Sequence, residues 1–375
     1  MRLLHTGDFH TAYQQYGIKR RALDFRRGVS AMVNAAIARK VDVVVIAGDL
    51  FDMARPPAEE VYFLQDKLRE LMNNAIQVAG ISGSHDGGGD DWLSVCGVER
   101  LDSGVERFTS YNGESIVIGG LNARRKAELP DAIKALSPCD VFVGHQMILP
   151  SHDTPIQCDL TYDELHSLLS EKGVRYAALG HIHAYDVAPY DDMIIAYSGA
   201  LERCDYNENG AKGFIILDFP ETGLPAMERV EIATREFKSV SITSEEELEA
   251  FKPDNETMWL VSVDRSLLMG RDRAVEKLAA VDAMFKIETG SRAIGADRML
   301  PAFADRPVWE RDRAGLALKD VLAKSDGGLM VDEFARSLID RILETPDQAE
   351  TIIADFLESA IEDSAAAVFD KQYNQ

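Results

Sequence analysis

The residues best suited to chemistry in this chain are histidines and aspartates, and they recur at one kind of place. Five short apolar runs, RLLHTGDFH, VDVVVIAGDLFD, IQVAGISGSHD, DVFVGHQ and YAALGHIHAYD, each break at a glycine and then present polar side chains able to bind metal. The first run delivers Asp8 and His10, the second Asp49, and the third Ser84 and His85. The fourth delivers His145, and the fifth His181 and His183. Five of the eight histidines stand at these ends, which sets the group apart from any single D-x-H or GHxH. Side chains at the carboxyl ends of neighbouring strands in an α/β sheet share one crevice. Hydrolysis of a phosphodiester needs an activated water and neutralised phosphoryl charge, and two metal ions roughly 3.5–4 Å apart supply both. Mixed imidazole and carboxylate donors suit Mn²⁺, Fe or Zn²⁺ better than Ca²⁺. The D-x-H and H-x-H spacings are expected to aim both side chains one way, as alternate residues of a strand do. His5, inside the first run, reads as a packed core histidine, and His152 and His166 as surface or loop residues.

The elements that must position these residues alternate. Helix-like segments over residues 24–39 and 58–74 separate the early strands, which predicts an α/β layered domain. Later strands, IIAYSGA, GFIILDF and MERVEIA, follow without helices, so the sheet is expected to turn mixed or antiparallel, as in a two-sheet sandwich. The part that carries these strand ends is placed at residues 1–235, and a small α+β unit at 236–290. Residues 291–330, broken by Pro301 and Pro307, read as a linker, and 331–375 as two terminal helices.

The bulk composition narrows the function. With 375 residues the chain can hold two or three domains. A net charge of −23 argues against coating DNA by the chain's own charge, which needs clustered Lys and Arg. High-salt adaptation or plain solubility explains that charge as well. No run of 18 apolar residues exists, so no membrane span is expected. The start, MRLLHTGDFH, does not read as a signal peptide. Four scattered cysteines, Cys96, Cys139, Cys158 and Cys204, suit a reducing, cytoplasmic compartment and suggest neither a zinc site nor a disulfide framework.

The order D-x-H, GD, GSHD, GH, GHxH resembles that of the calcineurin-like metallophosphoesterase superfamily. The stretches GDFHTAYQQYGIKRR, AGDLFDMARPP and YSGALERCDYNENGAKGF are similar to signatures of SbcD-like nucleases of DNA double-strand-break repair. The resemblance covers about residues 1–219 and implies a four-layer α/β/β/α sandwich with a capping domain and C-terminal helices. It implies one metal on Asp8, His10 and His183, a bridging Asp49, and a second metal on His145, His181 and position 84. It implies two Mn²⁺, with Mg²⁺, Fe or Zn²⁺ as alternatives. His85 would then serve as the catalytic group, stabilising the transition state or protonating the leaving oxygen. Implied activities are 3′-to-5′ exonuclease action on duplex ends and endonuclease action on single strands, near the nucleoid. Rival readings are a small-molecule phosphodiesterase of the same superfamily, or a scaffold with a weakened site.

Two positions depart from the family's pattern. Ser84 stands where the family has Asn, a better oxygen donor. Asp52 stands where some relatives have His; it either adds negative charge near the phosphate path or orients a histidine ligand. Lys19, Arg20, Arg21, Arg26 and Arg27 form a basic segment expected to grip DNA phosphates. Arg124, Arg125 and Lys126 form a weaker candidate. The family's dimers place Val61, Phe63, Leu64, Leu68 and Leu71 at a candidate homodimer face, and core packing explains the same residues. The acidic last helix, with Ile353, Phe356 and Leu357, resembles a docking element for a coiled-coil ATPase of the SbcC type.

Overall fold

The computed structural model describes residues 1–86, 91–152, 158–208, 210–267 and 269–290. The linker and the terminal helices, with Ile353, Phe356 and Leu357, lie outside the described residues, as does the GGGD stretch of 87–90.

Two six-stranded sheets stack face to face. The first holds β1 (Arg2–Thr6), β2 (Val43–Ala47), β3 (Gln77–Ile81), β4 (Glu99–Arg100), β13 (Lys212–Asp218) and β14 (Ala226–Ile232), in the order β14-β13-β1-β2-β3-β4. The second holds β5 (Gly104–Thr109), β6 (Ser115–Leu121), β7 (Val141–His145), β10 (Tyr176–Gly180), β11 (Asp186–Pro189) and β12 (Ile194–Tyr197), in the order β11-β12-β10-β7-β6-β5. A two-residue ribbon, β8 (Ile148–Leu149) with β9 (Leu160–Thr161), lies beside the second sheet's helices. The central strands β1–β3 and β6, β7, β10 and β12 run parallel to their neighbours, and β13, β14, β5 and β11 close the edges antiparallel.

The period of two in β2 shows why four layers form. Val43, Val45 and Ala47 enter the core between the sheets, with Leu3, Val141, Val143, Tyr176 and Ala178. Val44 and Ile46 face the other way and pack under α1 (Arg21–Ala38) and α2 (Ala58–Asn73). The second sheet is covered outside by α4 (Leu129–Ala135) and α5 (Tyr162–Ser170). Strands buried on both faces read as unbroken β-branched runs, and VVVIA is one. Each fully buried aliphatic side chain contributes roughly 1.5–3 kcal/mol, so these strands hold the crevice floor firmly. The short α3 (Trp92–Val95) caps the first sheet's edge.

Residues 237–290 add a third, all-parallel sheet, β15 (Phe237–Ile242), β16 (Met258–Asp264) and β17 (Met284–Gly290), crossed by α6 (Glu245–Ala250) and α7 (Gly270–Ala280). It has its own core around Ile242, Leu248, Val261 and Leu278. Arg235 ties its entry to Asp24 of α1 at 2.6 and 2.8 Å, and Arg20 pairs with Asp282.

Two surface expectations need correction. Leu64, Leu68 and Leu71 are fully buried and Val61 and Phe63 are packed on the same core, so this side of α2 seats the helix on the sheet. Arg21 is fully buried, with its guanidinium on Asp24, Gln15 and the Arg203 carbonyl. Its charge holds α1 to the loop after β12 and cannot reach a nucleic acid. Arg26 is bidentate on Glu60, and Arg27 pairs with Asp24. In the second basic candidate, Arg124 is tied to Asp102 and Lys126 to the Cys158 carbonyl, while Arg125 is exposed beside Glu128.

Candidate metal centre

The loops that leave β1, β2, β3, β7 and β10 meet at one end of the stacked sheets and are stitched together there. The amides of Asp8, Phe9 and His10 donate to the carbonyls of Gly48 and Asp49 at 2.9–3.1 Å, joining the first two loops. The Asp8 carboxylate accepts the His181 amide at 3.0 Å. The Asp49 carboxylate accepts the His85 amide at 2.8 Å. Asp86 binds the third loop to the second, accepting from the amides of Gly83, Leu50 and Phe51. Burial, and then the neighbouring Asp49, raise the Asp86 carboxyl above its usual range.

The backbone is strained where the site is made. Asp8, His10, Asp49 and His181 all take positive φ, at 52°, 43°, 54° and 92°. Such conformations cost of order 1–3 kcal/mol each for non-glycine residues and cluster at functional sites. They also correct the expected reason for D-x-H and H-x-H convergence. Asp8 and His10 follow the end of β1, and His181 and His183 follow the end of β10, so turns aim them and strand alternation does not. Only glycine fits two flanking positions: a Cβ on Gly83 would lie 2.2 Å from Asp49 Oδ1, and one on Gly180 2.0 Å from the Ala47 carbonyl oxygen.

All eight expected side chains come to this crevice. Asp8, His10 and Asp49 offer donor atoms within 4.8 Å of one another. His10 Nε2 faces His183 Nε2 at 3.0 Å. Asp49 Oδ2 lies 3.1 Å from His145 Nε2 and 3.7 Å from His10 Nε2. The His181 ring meets the His145 ring edge-on at 5.1 Å. Ser84 Oγ sits 3.4 Å from both Asp49 Oδ2 and His145 Nε2, turned to the shared space without closing on either. His85 stands at the exposed rim, its ring edge-on to His10 at 4.8 Å.

Neighbouring acceptors set which ring nitrogen each histidine presents. A carbonyl can only accept, so His145 Nδ1–H donates to Ala47 (2.8 Å) and His85 Nδ1–H to the Asp52 carbonyl (2.9 Å). His183 Nδ1–H donates to the buried Glu208 carboxylate at 2.9 Å. Each of the three is thereby left with Nε2 for other chemistry. Lys212 Nζ holds the far oxygen of Glu208 at 2.7 Å, and Lys212 and His183 keep that carboxyl far below its usual range despite burial.

The residues fit a cationic occupant. Two bare imidazole nitrogens 3.0 Å apart repel unless a proton or a cation lies between them. A separation near 3 Å is also the edge between neighbouring donors that each sit about 2.1 Å from one octahedral metal ion. Buried Asp8 and Asp49 add negative charge that nothing but the imidazoles answers among the described neighbours. Burial pushes the His145 imidazole down, yet Asp49 and then Asp8 bring it up to about 9. Burial likewise opposes protonation of His183, and Cys204 and Glu208 reverse it. Metal ions displace such protons, because their ligands must be deprotonated. His10 Nδ1, buried and without a hydrogen bond, lies 3.4 Å from Asp52 Oδ1 and becomes a donor to it once Nε2 binds a cation. Of the two roles left open for Asp52, the position between His10 and His85 supports the orienting one.

Comparison with known proteins gives this geometry a family. Residues 1–185 match the model of the calcineurin-like phosphoesterases. It is this part of the chain, residues 1–185, that belongs to the calcineurin-like phosphoesterases. Among curated relatives, the DNA double-strand break repair protein Mre11 of Methanocaldococcus jannaschii is 29% identical over 265 residues, covering 64% of this chain and 69% of that protein. The Mre11 of Methanosarcina mazei is 26% identical over 365 residues, 90% of this chain and 57% of the relative. That of Halobacterium salinarum is 30% identical over 249 residues, 63% of this chain and 61% of the relative. The chain therefore spans about three-fifths of the length of several curated relatives it matches. Within this phosphoesterase site, sequence reasoning missed Asp86, Glu208, Lys212 and Cys204. A faint signal existed for two of them, since Glu208 and Lys212 are an acid and a base four apart inside a stretch already singled out.

Proposed function

We propose that the chain is a metal-dependent nuclease of DNA double-strand-break repair. The observation that carries this reading is the convergence of Asp8, His10, Asp49, Ser84, His145, His181 and His183 on one strained crevice, in a chain whose relatives carry break-repair names. Asp8, His10 and His183 would hold one ion and His145, His181 and Ser84 a second, with Asp49 available to both. Two divalent ions, with Mn²⁺ the proposed native pair, supply an activated water and neutralise phosphoryl charge when bound. The protein's own part is positional. His85, its Nδ1–H held by the Asp52 carbonyl, keeps Nε2 for the substrate, where it stabilises the developing charge or gives a proton to the leaving oxygen. The buried carboxylates of Asp8 and Asp49 would repel a phosphodiester if bare. The expected activities are 3′-to-5′ cleavage at duplex ends and endonucleolytic cleavage of single strands.

Partners follow the same reading. With the chain at −23, DNA delivery is assigned to a coiled-coil ATPase of the SbcC type docked on the terminal segment. Residues 237–290 act as a cap beside the nuclease unit, two copies form the working enzyme, and the complex works at the nucleoid. No helix among the described residues is long and apolar enough to cross a membrane. The test is cleavage of a 3′-end-labelled duplex with Mn²⁺, beside a His85→Gln variant and bis-p-nitrophenyl phosphate. The expected result is DNA cleavage that falls roughly 10²–10⁴-fold without His85. Hydrolysis of the small diester without any DNA cleavage overturns the repair assignment and leaves a small-molecule phosphodiesterase.

A further inference from the structure

Cys204 is the one cysteine brought to the metal centre. Its thiol and the rings of His10 and His183 place one donor atom each within 4.8 Å of one another. The hydrogen bond of the thiol runs to the Glu202 carbonyl at 3.8 Å. The backbone fixes that placement at both ends: the Cys204 amide donates to Glu208 at 2.9 Å, and its carbonyl accepts from Gln15 Nε2 at 2.9 Å. Glu208 thus holds His183 and Cys204 together, one through each oxygen. His10 Nδ1 faces Asp52 Oδ1 at 3.4 Å, which leaves Nε2 as the His10 donor toward His183.

We propose that Cys204 is a further protein donor to the ion held by His10 and His183, which makes this position bind thiophilic divalent ions such as Zn²⁺, Co²⁺ or Cd²⁺ more tightly than the Mn²⁺ proposed as its native occupant. The proposal rests on the metal-centre reading above. Imidazole, carboxylate and thiolate together favour softer ions over Mg²⁺ or Mn²⁺. On binding, a sulfur–metal bond forms, the S–H bond breaks, and its proton leaves to solvent. The scattered cysteines suggested no such site, because the chain reaches it only by folding residue 204 back onto residues 10 and 183.

Titration of the full chain with Co²⁺, read by absorption, tests this without relying on activity. The expected result is ligand-field bands together with a near-ultraviolet sulfur-to-cobalt charge-transfer band. That band should vanish in Cys204→Ser and persist in Cys158→Ser, whose thiol lies 3.1 Å from His152 Nδ1 and is the obvious competitor. Ligand-field bands with no charge-transfer band overturn the Cys204 assignment alone. No uptake of Co²⁺ overturns the metal-centre reading with it. Binding constants give a second check that does not depend on the cobalt spectrum. Cys204→Ser should weaken Cd²⁺ binding at least about tenfold and Mn²⁺ binding less than about threefold. An equal loss for both ions marks a merely structural cysteine and overturns the proposal.

Discussion

The two sides of the crevice are built differently. Around His10 and His183 every group has a brace: Glu208 holds His183, Lys212 holds Glu208, and Asp52 flanks His10. Around His145 the ring is fixed by the Ala47 carbonyl and meets the His181 ring, but the third donor is Ser84, whose hydroxyl stops 3.4 Å from its neighbours. One side is braced by charged partners; the other depends on the exposed Ser84. Partners that orient a ligand are worth 10–100-fold in metal affinity. The two positions should therefore differ in affinity even where their donors look alike.

Removing what both sides share should have the largest effect. Asp49→Asn takes the charge from the point between them, and hydrolysis of bis-p-nitrophenyl phosphate should fall by two to three orders of magnitude. A smaller loss would mean that the sides work independently. Glu208→Gln should weaken only the tighter of two Mn²⁺ binding steps, by about 10–100-fold, in calorimetric titration. Loss from the weaker step instead would reverse the comparison. Ser84→Asn should act oppositely and tighten the weaker step by roughly tenfold, the worth of one added contact to a charge, about 1.4 kcal/mol. If that step does not move, water already supplies what Ser84 lacks. The smallest effect should lie outside both positions. Lys19, exposed and with no ion pair among the described contacts, should reduce the salt slope of duplex binding by about one when changed to Ala. No change in slope would remove the segment from the DNA path altogether.

How much of this was legible depended on how local the signal was. The strand ends were legible because a buried strand must be apolar throughout, so VVVIA followed by GD marks its own end. The third sheet was legible from mixed stretches such as MWLVSVD, whose burial alternates, though its all-parallel pairing was not. Arg21 misled because a run of arginines looks like surface, and only the fold supplies Asp24, Gln15 and a carbonyl more than 180 residues away to bury it. The leucines of α2 read equally well as core or as dimer face, because amphipathic spacing shows that a face is covered without showing by what.

The sequence by itself determined the family, the layered architecture and the set of ligand-type residues, since these rest on residue type and on short periods along the chain. Only the tertiary structure decided how the set is used. It aimed Asp8, His10, Asp49 and His181 through left-handed turns, chose the ring nitrogen that His85, His145 and His183 present, set Glu208 on His183, and brought Cys204 to His10, nearly 200 positions earlier. The physical reason is that hydrogen-bond direction and donor spacing belong to pairs of distant groups, and no single stretch of chain encodes both members of a pair.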